Sequence, residues 1–189
     1  MNTPAHLLVG AAAFANADKR RSLLAAFGGA LAPDLSLYLL AGWHLGVLGT
    51  SAQVVFNELY FSEAWQSVFA IDNSIFVWVG LLLLGVYRQS ALLKIFSASA
   101  LLHVALDFPL HAGDGRPHFW PLTDWVFDSP ISYWDDRFYG WLVGPAELLL
   151  AALCTVVLLL RYRSVLTRST FLALFTLEAA SSGIWVLFF

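Results

Sequence analysis

Residues 141–160 read WLVGPAELLLAALCTVVLLL, twenty positions with one ionisable group, Glu147. A bilayer-spanning helix needs about 17–25 mostly apolar residues at about 1.5 Å each, so Trp141 to Leu160 is long enough to cross as a single helix. Outward from it, the same measure picks out Leu7 to Ala17, Ser22 to Leu48, Val68 to Tyr87, Leu92 to Leu110 and Phe171 to Phe189. The first is short and rich in small residues. Thr3-Pro4 suits an N-cap followed by proline at the first helical position, and the length suits a tilted or half-buried helix. Ser22 to Leu48 contains Gly28-Gly29 and Pro33, whose missing amide hydrogen frees a carbonyl one turn back, and it reads as a broken or kinked span. The expected fold is an all-α, polytopic transmembrane bundle of about six spans, forming a single integral membrane domain over residues 1–189.

Composition points the same way. The 189 residues are 59% hydrophobic and 12% charged, against about 45–50% and about 25% in soluble domains. With a mean hydropathy of +0.72, eight Trp and fifteen Phe, the chain would expose large apolar patches in water. A net charge of −3, with no Arg/Lys cluster interleaved with aromatics, excludes a nucleic-acid partner. Cys154 is the single cysteine, which rules out a disulfide framework or a thiolate metal site. No basic stretch precedes the first apolar run, so a cleavable signal is not expected.

Two polar, aromatic loops separate the spans. Gln53 to Gln66 mixes Trp65, Tyr60 and Phe56 with Glu58 and Glu63, a composition suited to a short interfacial helix. Ala112 to Tyr139 is Asp-rich and broken by proline. Lys19, Arg20 and Arg21, then Arg88 and Lys94, then Arg161, Arg163 and Arg168 fall in alternate connections, so eight of ten basic residues share a side. The positive-inside rule makes that side cytoplasmic. Both termini and both aromatic loops then face outward, the periplasm for a bacterial inner membrane.

Ionisable groups within a span are costly and need a partner or a wet cavity. His6 sits at the outer end of the first span, and Asp34 lies about 18 Å along the second from its cytoplasmic start. Asp72 opens the third from outside. His103, Asp107 and His111 approach the outer surface along the fourth, and Glu147 lies about 10 Å inward on the fifth. All seven converge in depth on the outer half. The i, i+4, i+8 spacing of His103, Asp107 and His111 projects them from nearly one helix face. Pro109 ends that helix near Phe108, which leaves His111 on the following turn. Neutral imidazole with carboxylate is the ligand set of catalytic zinc, and also suits manganese or iron. Clustered carboxylates repel unless a cation sits among them. Hydrogen bonding between neighbouring helices is the other use such residues have.

Thr3-Pro4-Ala5-His6, Gly29-Ala30-Leu31-Ala32-Pro33-Asp34 and the His103-x-x-x-Asp107 helix together resemble the YdjM/YbcI-type membrane-bound metal-dependent hydrolases, over roughly residues 3–111. The resemblance implies metal-ligand roles for His6, Asp34, His103 and Asp107. Ala70-Ile71-Asp72-Asn73-Ser74 stands where the family has a His-rich segment, so Asp72 takes the place of a His ligand and Ser74 matches the final Ser. The second acid after the Pro-Asp turn is Ser36 here. The His103…Asp107…His111 run with Pro109-Leu110 also looks like the zinc helix of phospholipase C and related phosphodiester nucleases, which are soluble and space the last His differently.

In the outer loop, Trp120, Trp125 and Trp134 suit anchoring at headgroup level. His118 and Asp124, delivered by a loop folding back over the site, are candidates with Glu147 for a general base, or for a further ligand. Arg116 and Arg137 are read as pairing in solvent with Asp114, Asp135 or Asp136, although guanidinium also suits phosphate. Glu178 is read as an interhelical hydrogen-bonding group. The expected function is a metal-dependent hydrolase using one or two divalent ions, zinc foremost, on a phosphoester or other ester of a lipid or lipid-linked substrate. The metal set is His6, Asp34, Asp72, His103, Asp107 and His111. The alternative is a non-catalytic accessory subunit or assembly factor of a membrane complex.

Overall fold

The computed structural model describes the backbone of residues 1–188 and the side chains of residues 1–181. Among the described residues there are helices and no strands. In chain order these are α1 (Thr3–Phe14), α2 (Arg20–Gly46), the single turn α3 (Ala52–Val54), α4 (Glu63–Asp72), α5 (Ile75–Tyr87), α6 (Ala91–Asp107), α7 (Gly140–Arg161) and α8 (Val165–Phe188). Seven of them have ten residues or more.

Among the described residues three stretches are long and apolar enough to cross a membrane, not six: Arg20–Gly46, Glu63–Tyr87 and Gly140–Arg161. The shortfall has local causes. α1 has only 12 residues, about 18 Å of helix. α6 has 17 residues, about 25 Å of helix. For Phe171 to Phe189, Phe189 and the side chains from 182 onward lie outside the described residues.

The segment expected as one helix over Val68 to Tyr87 is two, because Asn73 and Ser74 take over the backbone's bonding. Asn73 Nδ2 donates to the carbonyls of Phe69 and Pro33, and Ser74 caps α5 by accepting from the Val77 amide. Gln53 to Gln66 is likewise no single interfacial helix. It passes from α3 through a π-helical turn, Val55–Leu59, into the start of α4, capped by Ser62. Ala112 to Tyr139 is an ordered loop whose one regular turn is the 3-10 segment Asp136–Phe138. Phe108 stacks on Phe127 with centroids 4.8 Å apart. Ser129 Oγ donates to the Pro109 carbonyl, and Ser74 Oγ to that of Trp120.

The helices bury polar side chains among small and apolar ones and leave large apolar side chains exposed. On α7, Glu147, Ala151, Thr155 and Leu158 are buried, while Leu149, Leu153, Val156 and Leu160 form an exposed stripe with helical spacing. On α2, Ser22, Gly29, Ala30, Pro33 and Asp34 face inward, and Leu35, Leu39 and Trp43 face outward. Water would favour the reverse; hydrocarbon as the surrounding solvent accounts for it.

α2 is one helix through Gly28-Gly29 and Pro33, so of the expected break or kink the break does not occur. The glycines serve close packing instead. A Cβ on Gly29 would overlap the Phe96 carbonyl of α6, and one on Gly10 of α1 would overlap Ser99 Oγ. α1, α2 and α6 therefore meet almost backbone to backbone, and Ser99 Oγ donates to the Ala26 carbonyl at 2.7 Å.

Charged side chains complete the ends of α1. At its N-terminal end, Glu147 accepts from the Asn2 amide at 2.5 Å and Glu178 accepts from the Ala5 amide at 3.1 Å. At the other end, Arg161 Nη1 donates to the carbonyls of Ala12 and Ala15. Acid at the N-terminus and base at the C-terminus complement the helix dipole and its unsatisfied groups. A short helix is thus tied into the bundle at both ends.

Candidate metal centre

His6 opens the second turn of α1, and the tight packing around Gly10 and Gly29 brings it against α6. There its ring stacks on His103, with centroids 3.6 Å apart and planes 14° from parallel. His103 and Asp107 are one turn apart on α6, whose helical run ends at Asp107 with Phe108 as C-cap. Asp34 follows Pro33 on the inward face of α2. All four side chains are buried.

Asp107 is the hub. Its Oδ1 lies 2.8 Å from His6 Nε2 and 2.5 Å from the Met1 nitrogen. Its Oδ2 lies 3.2 Å from His103 Nε2 and 3.3 Å from His111 Nε2. Asp34 Oδ1 is 3.7 Å from His103 Nε2. One donor atom each from His6, His103 and Asp107 fall within 4.8 Å of one another, a group that could hold a metal ion.

His103 has a defined tautomer. Its Nδ1 is 2.6 Å from the Ala30 carbonyl, which only accepts, so Nδ1 carries the hydrogen. In the neutral ring the Nε2 lone pair is then left facing Asp107 and Asp34, which are acceptors as well. Nε2 is fully buried and has no aligned hydrogen-bond partner. Three acceptors facing one another are relieved by a cation among them; the Met1 ammonium stands on Asp107 Oδ1, and the same group could hold a metal ion. A ligating histidine that donates its other nitrogen's hydrogen to a carbonyl is the usual outer support of a metal site. Two stacked imidazolium rings at 3.6 Å would repel, so without an ion at most one of the two rings carries a proton on both nitrogens.

The remaining sequence candidates take different places. His111 stands just beyond α6, with Nδ1 3.0 Å from Asp114 Oδ2, and belongs to the cluster. Asp107 and Asp114 keep its pKa above the ordinary histidine value although burial opposes this. Asp72 is half-buried at the end of α4, bonded to Asn73 Nδ2, and is outside the group of three. His118 is buried against Phe108, with Nδ1 3.1 Å from the Asn73 carbonyl, and burial holds its pKa low. Asp124 is exposed on the loop. Glu147 caps α1 beside Glu178.

Several participants carried no sequence signal. Thr3, expected as an N-cap, is the first residue of α1, and Asn2 is the N-cap. The Thr3 hydroxyl donates to Asp34 Oδ2 at 2.6 Å and lies 2.7 Å from the Tyr38 hydroxyl. Arg116, expected in solvent against neighbouring aspartates, is buried. It donates to the Pro33 carbonyl at 3.3 Å and lies 4.0 Å from Asp34. Its guanidinium carbon sits 4.7 Å from the centre of the Phe69 ring and 5.8 Å from that of Tyr60. Arg137 does pair with Asp135, at 2.6 Å. Loop-to-helix contacts between residues distant in sequence produce each of these placements, and spacing does not show them.

A cavity of about 530 Å³ opens beside the cluster. Asp34, Asp107, His111, Asp114 and Arg116 line its polar part, and Leu37, Ala41, Phe56 and Phe61 its apolar part. No protein-family model, curated protein or solved structure matches this chain.

Proposed function

We propose that this chain is a multi-pass protein of the bacterial inner membrane, carrying a metal-dependent hydrolase site toward the periplasmic face, and that it cleaves a phosphoester or other ester of a membrane-associated substrate. One observation carries the reading: the buried Nε2 of His103 faces two carboxylates, with no aligned hydrogen bond among the described residues, beside a stacked second histidine. His6, His103 and Asp107 hold the ion, with Asp34 completing the set. Zinc suits two imidazoles and carboxylates with a position open to water. A bound divalent ion lowers the pKa of its water toward ~7. His111, on the cavity wall between Asp107 and Asp114, is placed to give a proton to a leaving group.

The periplasmic assignment rests on the cluster and Arg161 lying toward opposite ends of α1 and on the positive-inside rule. Resemblance of the Thr3–His6, Gly29–Asp34 and His103–Asp107 segments to the YdjM/YbcI-type hydrolases supports the activity class. The test is turnover by the purified protein in detergent, with zinc or with chelator, on p-nitrophenyl phosphate, bis-p-nitrophenyl phosphate and p-nitrophenyl butyrate. Zinc-dependent turnover of at least one ester, abolished in His103→Ala, is expected. Stoichiometric metal with no turnover of any of the three would overturn the hydrolase assignment while leaving the metal site standing.

A further inference from the structure

We propose that the cavity beside the metal centre binds the phosphoryl group of a membrane amphiphile, with Arg116 as its anchor. This rests on the metal-hydrolase reading for the neighbouring ion and adds the class of substrate.

The argument starts from the state of Arg116. A guanidinium carries five donors, and burying it is expensive unless they are used. Arg116 is 6% exposed. Among the described residues it donates to the Pro33 carbonyl at 3.3 Å and to the Tyr60 hydroxyl, its nearest carboxylate is at 4.0 Å, and its buried Nε has no aligned partner. The faces of Phe69 and Tyr60 hold the plane in place by cation–π attraction. The group is therefore fixed, charged and under-bonded, and it lines the cavity. A planar donor fork in that condition matches a tetrahedral anion presenting two oxygens.

Position supplies the second argument. Arg116 Nη1 and His103 Nε2 approach the same atom, Asp34 Oδ1, at 4.0 and 3.7 Å. An anion held by the guanidinium is thereby next to the metal ligands. The cavity is also bipolar: Leu37 and Ala41, about one and two turns beyond Asp34 on α2, line it together with Phe56 and Phe61, and Phe61 is half exposed. That arrangement takes a phosphate at one end and an alkyl or prenyl chain at the other. A phosphomonoester lipid has this chemistry, and so at the polar end has free phosphate.

The experiment is a titration of the protein in dodecyl maltoside micelles, with and without zinc, using dioctanoyl phosphatidate, dioctanoylglycerol and inorganic phosphate. Wild type is expected to bind phosphatidate at least about ten-fold more tightly than dioctanoylglycerol, one charge-assisted hydrogen bond or more. Arg116→Lys keeps the charge and loses the fork. It should weaken phosphatidate about ten-fold and leave zinc affinity and dioctanoylglycerol binding unchanged.

Equal binding of phosphatidate and dioctanoylglycerol by wild type overturns the proposal, whatever the variant does. Wild-type preference for phosphatidate that survives in Arg116→Lys overturns Arg116 as the anchor. Inorganic phosphate binding as tightly as phosphatidate overturns the amphiphile and assigns the same pocket to soluble phosphate. Absence of zinc binding in wild type is a failure of the metal reading alone. In that case the zinc-free titration still decides: a phosphatidate preference upholds the pocket, and none overturns it.

Discussion

Asp107→Asn is the substitution with the most to lose for its size. The amide keeps the carboxylate's shape and removes its charge, and the carboxylate it replaces lies within 3.3 Å of three histidine nitrogens. Perturbing even an outer partner of a metal site costs about 10–100-fold in affinity, so neutralising a direct ligand should cost at least about 100-fold. At a free zinc concentration of about 100 times the wild-type Kd, binding stabilises the folded chain by about 2.7 kcal/mol. The variant, then near its own Kd, gains only about 0.4 kcal/mol. For a chain of this size those figures correspond to rises in Tm of about 5–10 °C and about 1 °C. Intrinsic tryptophan fluorescence during heating, in one detergent with and without zinc, reads both. Equal zinc-induced shifts in wild type and Asp107→Asn would refute the assignment of Asp107 as a ligand.

Three further predictions concern the scaffold. Gly29→Ala places a methyl group into the Phe96 carbonyl and should cost about 1–3 kcal/mol with no change in zinc stoichiometry. A Tm within about 1 °C of wild type would mean that α2 and α6 do not pack so closely. His118 has its pKa depressed by burial below the ordinary 6.5, so its contribution to stability is full above 6.5 and is lost as pH falls through the folded value. Proteolysis of the 112–139 loop should therefore accelerate on acidification in wild type and much less in His118→Asn. An unchanged pH profile in the variant contradicts this. Finally, in a Cys154→Ala background, Asp124→Cys should react with an impermeant maleimide on intact spheroplasts and Arg88→Cys only after lysis. The opposite pattern would invert the topology.

What could be read along the chain was whatever depends on neighbours in sequence. Pro109 ends α6 at Asp107 because it has no amide hydrogen to bond back into the last turn, although Phe108 before it keeps αR geometry. His103 and Asp107 share a face because they are one turn apart. The depth argument brought seven residues to one level; His6, Asp34, His103, Asp107 and His111 meet, whereas Asp72 bonds Asn73 and Glu147 caps α1. Gly28-Gly29 illustrates the limit. Glycine in a helical segment permits either a break or a close approach, and only the arrival of Phe96, 67 positions beyond Gly29, decides between them. α1 is similar: hydropathy measures its length but not the glutamates of α7 and α8 or the Arg161 that hold its ends. Arg116, Thr3 and Tyr60 acquire their places through the folding back of a loop or a helix end, which leaves no periodic trace.

The central claim is that His6, His103 and Asp107, with Asp34, hold a divalent ion. It is tested most directly by elemental analysis of the protein extracted in mild detergent without chelator, beside a His103→Ala, Asp107→Ala double variant. The account predicts about one to two zinc, or a comparable transition metal, per wild-type chain and a near-complete loss in the folded variant. A wild-type protein that contains no transition metal, and that gains no thermal stability when zinc, manganese or iron is added, would contradict it.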